Sequence, residues 1–198
     1  MKGKRDIDLT PLLKKRFAPY PRTIGRFSVS DIWAICNTNR DGERYKGVEE
    51  WLHNPEPDLE GMMRMYNGII QHEQVQFMLK KELCEVKVEY PYKGLTIVAK
   101  ADYLPDDEEG GWEFKTSDKV LEKSKTWHDW QSKIYCTLYE RPTWSILQPI
   151  VSEGKLVLRE IGDVKRDDAW VHKQFDNLLD FHQEVLQVVD NPLDKEVV

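Results

Sequence analysis

Between Leu95 and Ser117 the chain reads LTIVAKADYLPDDEEGGWEFKTS, and no other stretch restricts the fold as strongly. In a β-strand, neighbouring side chains point to opposite faces. Leu95, Ile97, Ala99 and Ala101 therefore line one side of a first strand, and Thr96, Val98, Lys100 and Asp102 line the other. With the PDDEEGG run as the connection, the next strand is an antiparallel neighbour, and Asp102 stands beside Glu113. On that second strand Glu113 and Lys115 share one face, while Trp112 and Phe114 share the opposite, core-directed face. Two carboxylates side by side repel each other unless a cation lies between them, and the Lys115 ammonium meets the same need. The pattern points to a divalent metal.

A chain of 198 residues suffices for one sizeable core, and the reading is a basic N-terminal arm, residues 1–26, followed by a single domain, residues 27–198. A hydrophobic content of 40% with 11% aromatic residues argues for a packed protein rather than a disordered one. The formal net charge of -6 does not suggest a nucleic-acid binder, but it averages a basic front with an acidic segment after Asp163. Cys36, Cys84 and Cys136 form no CxxC pair and read as reduced thiols of an intracellular, cytoplasmic protein. No apolar run reaches the roughly 18 residues of a membrane span.

Pro11, Pro19 and Pro21 limit the N-terminal arm to an extended segment or a short helix and loop. A serine-capped helix is expected through Asp31–Cys36, a helical turn at Val48–Leu52, and one long amphipathic helix from Leu59 to Leu83 carrying His72. Strands follow at Glu85–Tyr90 and Thr96–Asp102, turning at Lys93-Gly94, and then at Trp112–Thr116. A helix spans about Thr126–Glu140, with Gln131 and Tyr135 one turn apart on the same face. A hairpin turning at Glu153-Gly154 leads to a C-terminal helix, Asp168–Val189, whose apolar stripe is read as Trp170, Phe175, Leu178, Leu179, Leu186 and Val189.

The segments GIIQHE (Gly68–Glu73), AKAD (Ala99–Asp102), EFKTS (Glu113–Ser117) and QSKIY (Gln131–Tyr135), preceded by SVSDIWAIC, form an ordered set. This set resembles the RecB-type branch of the PD-(D/E)XK nucleases, which includes the RecB nuclease domain, the CRISPR-adaptation nucleases and the mitochondrial genome maintenance exonuclease. The resemblance covers roughly residues 27–160 and implies an α/β fold: a restriction-endonuclease-like core with a central mixed β-sheet flanked by helices. It implies a deoxyribonuclease, an exonuclease by first reading, that acts on single strands or linear duplex ends in recombination, repair or phage DNA processing. A helicase or recombinase would be a separate protein, since no Walker-type loop is present. The alternative is a catalytically silent DNA-binding subunit of a larger complex.

By the same resemblance Asp102 and Glu113, the His72 imidazole and the backbone carbonyl of Phe114 would ligate Mg²⁺ or Mn²⁺, for which carboxylate oxygens are suited. Lys115 would orient or deprotonate the attacking water, and Gln131 and Tyr135 would position substrate and lysine. Ser28, Ser30, Lys119, Lys123 and Lys125 are the candidate DNA contacts. Each has a plainer reading: His72 as an ordinary helix residue, Glu113–Lys115 as an ion pair, the lysines as a solvated loop. Trp127, His128 and Trp130 either stack on bases or belong to the core. The acids Asp106–Glu109 read as a solvated turn. Many relatives hold an iron-sulfur cluster on four cysteines; Cys36 matches the first position, but no Cys follows Cys136, so no cluster is expected.

Overall fold

The computed structural model describes residues 8–106, 109–117 and 119–190. Residues 1–7 of the basic arm, and Asp107 and Glu108 of the acidic turn, lie outside them.

Among the described residues six strands form one mixed sheet. The central strand β3 (Leu95–Tyr103) is paired antiparallel along its length with β2 (Cys84–Tyr92). Lys93 and Gly94 turn between them with φ of 45° and 89°, the left-handed pair that a tight two-residue hairpin requires. The other edge of β3 is shared. A short parallel strand, β1 (Arg26–Ser28), takes Thr96–Val98, and β4 (Gly110–Phe114) takes Tyr103 through the pair with Trp112. A fork is left between β1 and β4. From β4 the sheet continues through β5 (Thr143–Ser152), parallel to it, and β6 (Lys155–Lys165), antiparallel to β5.

Helices cover both faces. The main core packs Phe27, Ile97, Ala99 and Ala101 of the sheet against Ile32 and Ile35 of α2 (Val29–Cys36), Trp51 of α3 (Val48–His53), Ile134 of α5 (Thr126–Leu138) and Phe175, Leu178 and Phe181 of α6 (Asp168–Asp190). Phe27 stacks on Trp51 with ring centroids 4.8 Å apart. Burying each such ring stabilises by roughly 1.5–3 kcal/mol. On the opposite face Val75 of α4 (Leu59–Gln76) meets Tyr103, Phe114 and Leu147 in a smaller cluster, with Trp112 at its margin. Trp112 and Phe114 thus face apolar core, as strand parity requires.

The caps are local chemistry. Ser28 and Asp31 form a reciprocal capping box on α2, and Asp58 caps α4 through the Gly61 N–H at 2.7 Å. Before β1 lies α1 (Thr10–Arg16), the short helix that the proline pattern allowed. The segment after it is held by Arg22, which donates to Trp51 O at 3.2 Å, Asp31 Oδ2 at 3.1 Å and Asn54 Oδ1 at 3.0 Å.

Two element expectations are corrected. The helix expected to run to Leu83 ends at Gln76 and is followed by a 3₁₀ turn at Lys81–Leu83. Leu79 and Leu83 continue the apolar spacing because they pack on the smaller cluster, Leu79 from a bend and Leu83 from the 3₁₀ turn. On α6 the buried stripe is Val171, Gln174, Phe175, Leu178, Phe181 and Val185, while Val189 is exposed. A period of 3.6 leaves several adjacent stripes open, and the partner surface selects among them.

Candidate active site

The fork in the sheet opens into a cleft of about 900 Å³. One wall is the end of β1 and the start of α2, with Ser28 and Ser30; another is α4, with His72 and Gln76. Asp102 and Glu113 come from the two diverging strands, and Gln131 and Tyr135 project from α5.

The backbone is irregular where Asp102 enters. Pairing of β2 with β3 runs from Tyr92↔Leu95 to Val86↔Ala101 and resumes at Cys84↔Tyr103, passing over Glu85 and Asp102. Glu85 has a φ of 55°, an uncommon conformation for a residue with a side chain. The Tyr139 hydroxyl bridges the strands beside this point, accepting from the Ala101 N–H at 2.9 Å and donating to Val86 O at 2.5 Å. Strict alternation ends here, since Ala101, Asp102 and Tyr103 are all buried. Asp102 Oδ2 accepts the Phe114 main-chain N–H at 2.7 Å, and its Oδ1 lies 3.6 Å from His72 Nδ1.

Across the fork, Lys115 is 8% exposed and still charged-group dense around its tip. Its ammonium donates to Glu113 Oε1 at 2.5 Å and to Gln131 Oε1 at 2.7 Å. An ammonium only donates, so the amide oxygen must face the lysine, and Gln131 Nε2 in turn donates to the Tyr135 hydroxyl at 2.8 Å. Burial, aided by the Asp102 charge, pushes the Glu113 carboxyl up to about 7, although Lys115 and His72 pull the other way. For His72, burial opposes the imidazolium, but the nearby Asp102 carboxylate, with Glu113, outweighs this and raises its pKa. Burial, with Glu113 and Asp102, holds the Tyr135 hydroxyl well above its ordinary range, so it is a neutral hydrogen-bonding group.

The donor set suits a hard divalent cation. Glu113 Oε2 is buried with no hydrogen-bond partner among the described residues, an arrangement that is costly unless something meets that oxygen. Its raised pKa has the same origin, and a cation beside it would favour the carboxylate. Among the described residues no three His, Cys, Asp or Glu side chains are gathered closely enough to hold an ion. His72, Asp102 and Glu113 therefore line one cleft without forming a closed ligand set.

The other expected contacts divide. Ser28 and Ser30 line the cleft, their hydroxyls 2.9 Å apart, and Ser28 also donates to Asp31 at 2.6 Å. Lys119, Lys123 and Lys125 are exposed and are not part of the cleft wall. The cations that do line it are Arg16, Lys87 and Lys100, from α1, β2 and β3. Lys100 shares strand parity with Asp102 and was findable on that ground; no spacing in the sequence links Arg16 or Lys87 to the site. Trp130 belongs to the packing, with centroids 5.1 Å from Trp33 and 4.6 Å from Trp170, and His128 is buried. Trp127 is different: Lys115 Nζ sits 4.7 Å from its ring centroid.

Several solved structures are similar to this fold. A phage-related exonuclease from Haemophilus somnus aligns at a TM-score of 0.54 with 13% identity, over 83% of this chain and 95% of its own. The alkaline exonuclease LHK-Exo from Laribacter hongkongensis, in complex with dAMP, aligns at 0.57 with 16% identity, over 84% and 91%. The chain has the fold of these exonucleases. The protein SSO0001 aligns at 0.55 with 17% identity, over 93% of this chain and 85% of its own. No family model matches the sequence, and no curated protein matches it. The sheet of six strands flanked by helices is the α/β architecture that the sequence resemblance implied. No helix among the described residues is long and apolar enough to cross a membrane.

Proposed function

We propose that this chain is a divalent-metal-dependent deoxyribonuclease of the RecB-type PD-(D/E)XK branch, acting as an exonuclease on linear DNA. The observation that carries the reading is the buried Lys115 ammonium held between Glu113 and Gln131, which line one cleft with Asp102 in a fold found in exonucleases. A surface ion pair does not explain it, because Glu113 and Lys115 are only 3% and 8% exposed.

Asp102 and Glu113, with His72 and the Phe114 carbonyl, would hold Mg²⁺ or Mn²⁺. Such an ion supplies an activated water and charge stabilisation on the phosphoryl group. The rest of the chemistry belongs to the chain. Lys115 has one N–H donor beyond those that Glu113 and Gln131 hold, and with it would meet the attacking water or a phosphoryl oxygen and steady negative charge there. Gln131 keeps the ammonium from swinging on its flexible stem, and the Tyr135 hydroxyl anchors the amide nitrogen of Gln131. Arg16, Lys87 and Lys100, with Ser28 and Ser30, would hold the strand through phosphate contacts.

The test uses end-labelled single-stranded, linear duplex and closed circular DNA, with Mn²⁺, Mg²⁺ or EDTA, beside Glu113→Ala and Lys115→Ala. Linear DNA should be digested by the wild type with metal and spared in both variants. Digestion that persists in both variants, or none in the wild type with either metal, sinks the catalytic reading. DNA binding without digestion would instead favour the silent subunit, and loss of closed circles would require an endonuclease.

A further inference from the structure

We infer that Trp127 is a positioning residue for Lys115: its indole covers the ammonium and sets the direction in which that ammonium meets Glu113 and Gln131 at the cleft wall. The effect on turnover rests on the nuclease reading; the contact itself does not. An ammonium has three N–H donors. Glu113 Oε1 at 2.5 Å and Gln131 Oε1 at 2.7 Å engage two of them, and the Trp127 ring, 4.7 Å from Nζ, stands over the charge as a third contact. That separation lies within the roughly 6 Å reach of a cation–π interaction, which is strongest for tryptophan and in desolvated sites. Lys115 is desolvated at 8% exposure, whereas Trp127 is 40% exposed, so the ring is the outer wall between the ammonium and water.

The indole is itself held. Trp127 lies in the first turn of α5, and its ring meets His128 edge to face, with centroids 4.0 Å apart and an interplanar angle of 70°. His128 is 3% exposed, and its Nδ1 accepts the Lys125 main-chain N–H at 3.2 Å. A buried imidazole tied to the helix start therefore backs the ring. A base-stacking platform would present its face to an incoming strand, but one face of this ring is taken by the lysine, which leaves only the outer face for a base. Two oxygen contacts alone leave the ammonium free to rock about the line joining them, and a third contact off that line removes this freedom.

Trp127→Leu and Trp127→Phe in the full chain test this by two readouts. The first is reductive methylation of Lys115 without metal or DNA, followed by peptide mass spectrometry. Lys115 should react at least about threefold faster in Trp127→Leu and near the wild-type rate in Trp127→Phe, as loss and retention of a cation–π cover imply. Equal rates in all three proteins overturn the inference whether or not the protein cuts DNA. The second readout is steady-state digestion of linear DNA. Trp127→Leu should lower kcat about 3- to 30-fold with KM within about twofold, and Trp127→Phe should restore most of the loss. A raised KM with intact kcat would overturn the inference and make Trp127 a strand contact. A wild type that cuts no DNA would refute the nuclease reading, while the methylation result would still decide the role of Trp127.

Discussion

Asp102 Oδ2 accepts the Phe114 main-chain N–H at 2.7 Å, so a carboxylate takes the place of a ladder carbonyl where β3 and β4 part. One side chain then has two duties, to close the fork and to offer its other oxygen to the cleft. The duties separate by mutation. Asp102→Ala leaves a buried N–H unpaired and should cost about 1–3 kcal/mol in urea unfolding. Asp102→Asn keeps a carbonyl acceptor and should stay within about 1 kcal/mol of the wild type, yet lose nuclease activity as completely as alanine does. Equal destabilisation by both would remove the structural duty.

The Lys115–Gln131–Tyr135 chain predicts graded losses. Tyr135→Phe removes the acceptor that anchors the Gln131 amide nitrogen and should slow single-turnover cleavage of end-labelled linear DNA about five- to tenfold, near the worth of one hydrogen bond. Gln131→Leu removes a contact to the ammonium itself and should cost about 10- to 100-fold, as hydrogen bonds to charged groups do. A larger loss in Tyr135→Phe than in Gln131→Leu would reverse the order of action.

Gly111 pairs with Trp144 across β4 and β5, and a Cβ on it would stand 2.4 Å from an indole carbon. The fully buried Trp144 has no room to retreat. Gly111→Ala should therefore destabilise by about 1–3 kcal/mol, the usual cost of overpacking, and lower Tm by about 2–4 °C per kcal/mol in a domain of this size. An unchanged Tm in a thermal melt would show that Trp144 can move.

Burial, and then the Lys115 and Lys125 ammonium groups, push the His128 imidazole down to about 3. Unfolded, it titrates near 6.5, so between about pH 6.5 and 3 the unfolded chain binds the extra proton. Stability contributed by neutral His128 is thus present above pH 6.5 and lost as pH falls, by up to about 1.4 kcal/mol per pH unit. Urea unfolding from pH 7 to 4 should show this slope in the wild type and a flatter one in His128→Gln. Parallel slopes would mean that His128 titrates normally when folded.

The hairpin turns at Lys93-Gly94 and Glu153-Gly154 were legible because a left-handed backbone needs particular residues at particular places, and both residues of each turn have positive φ. Strand parity likewise put Trp112 and Phe114 against apolar core and Glu113 with Lys115 on the other face. Periodicity was a weaker guide. It continued α4 through Leu79 and Leu83, and it chose Leu186 and Val189 on α6 where Val171, Phe181 and Val185 are buried. An apolar residue records that it is buried, not whether the backbone beneath it is helical or which neighbour covers it.

By itself the sequence determined the local terms: which segments turn, which faces of β3 and β4 are apolar, and which residue types carry chemistry. Only the tertiary structure decided that β1 and β4 share one edge of β3 and leave the fork in which Asp102 and Glu113 stand. It also decided that Arg16, Lys87 and Lys100 line the cleft while Lys119, Lys123 and Lys125 do not, and that Trp127 covers Lys115. The reason is physical. Strand alternation, capping and turn geometry are set by bonds and sterics within a few residues, whereas a cleft is made by elements distant in the chain whose meeting depends on the packing of the whole core.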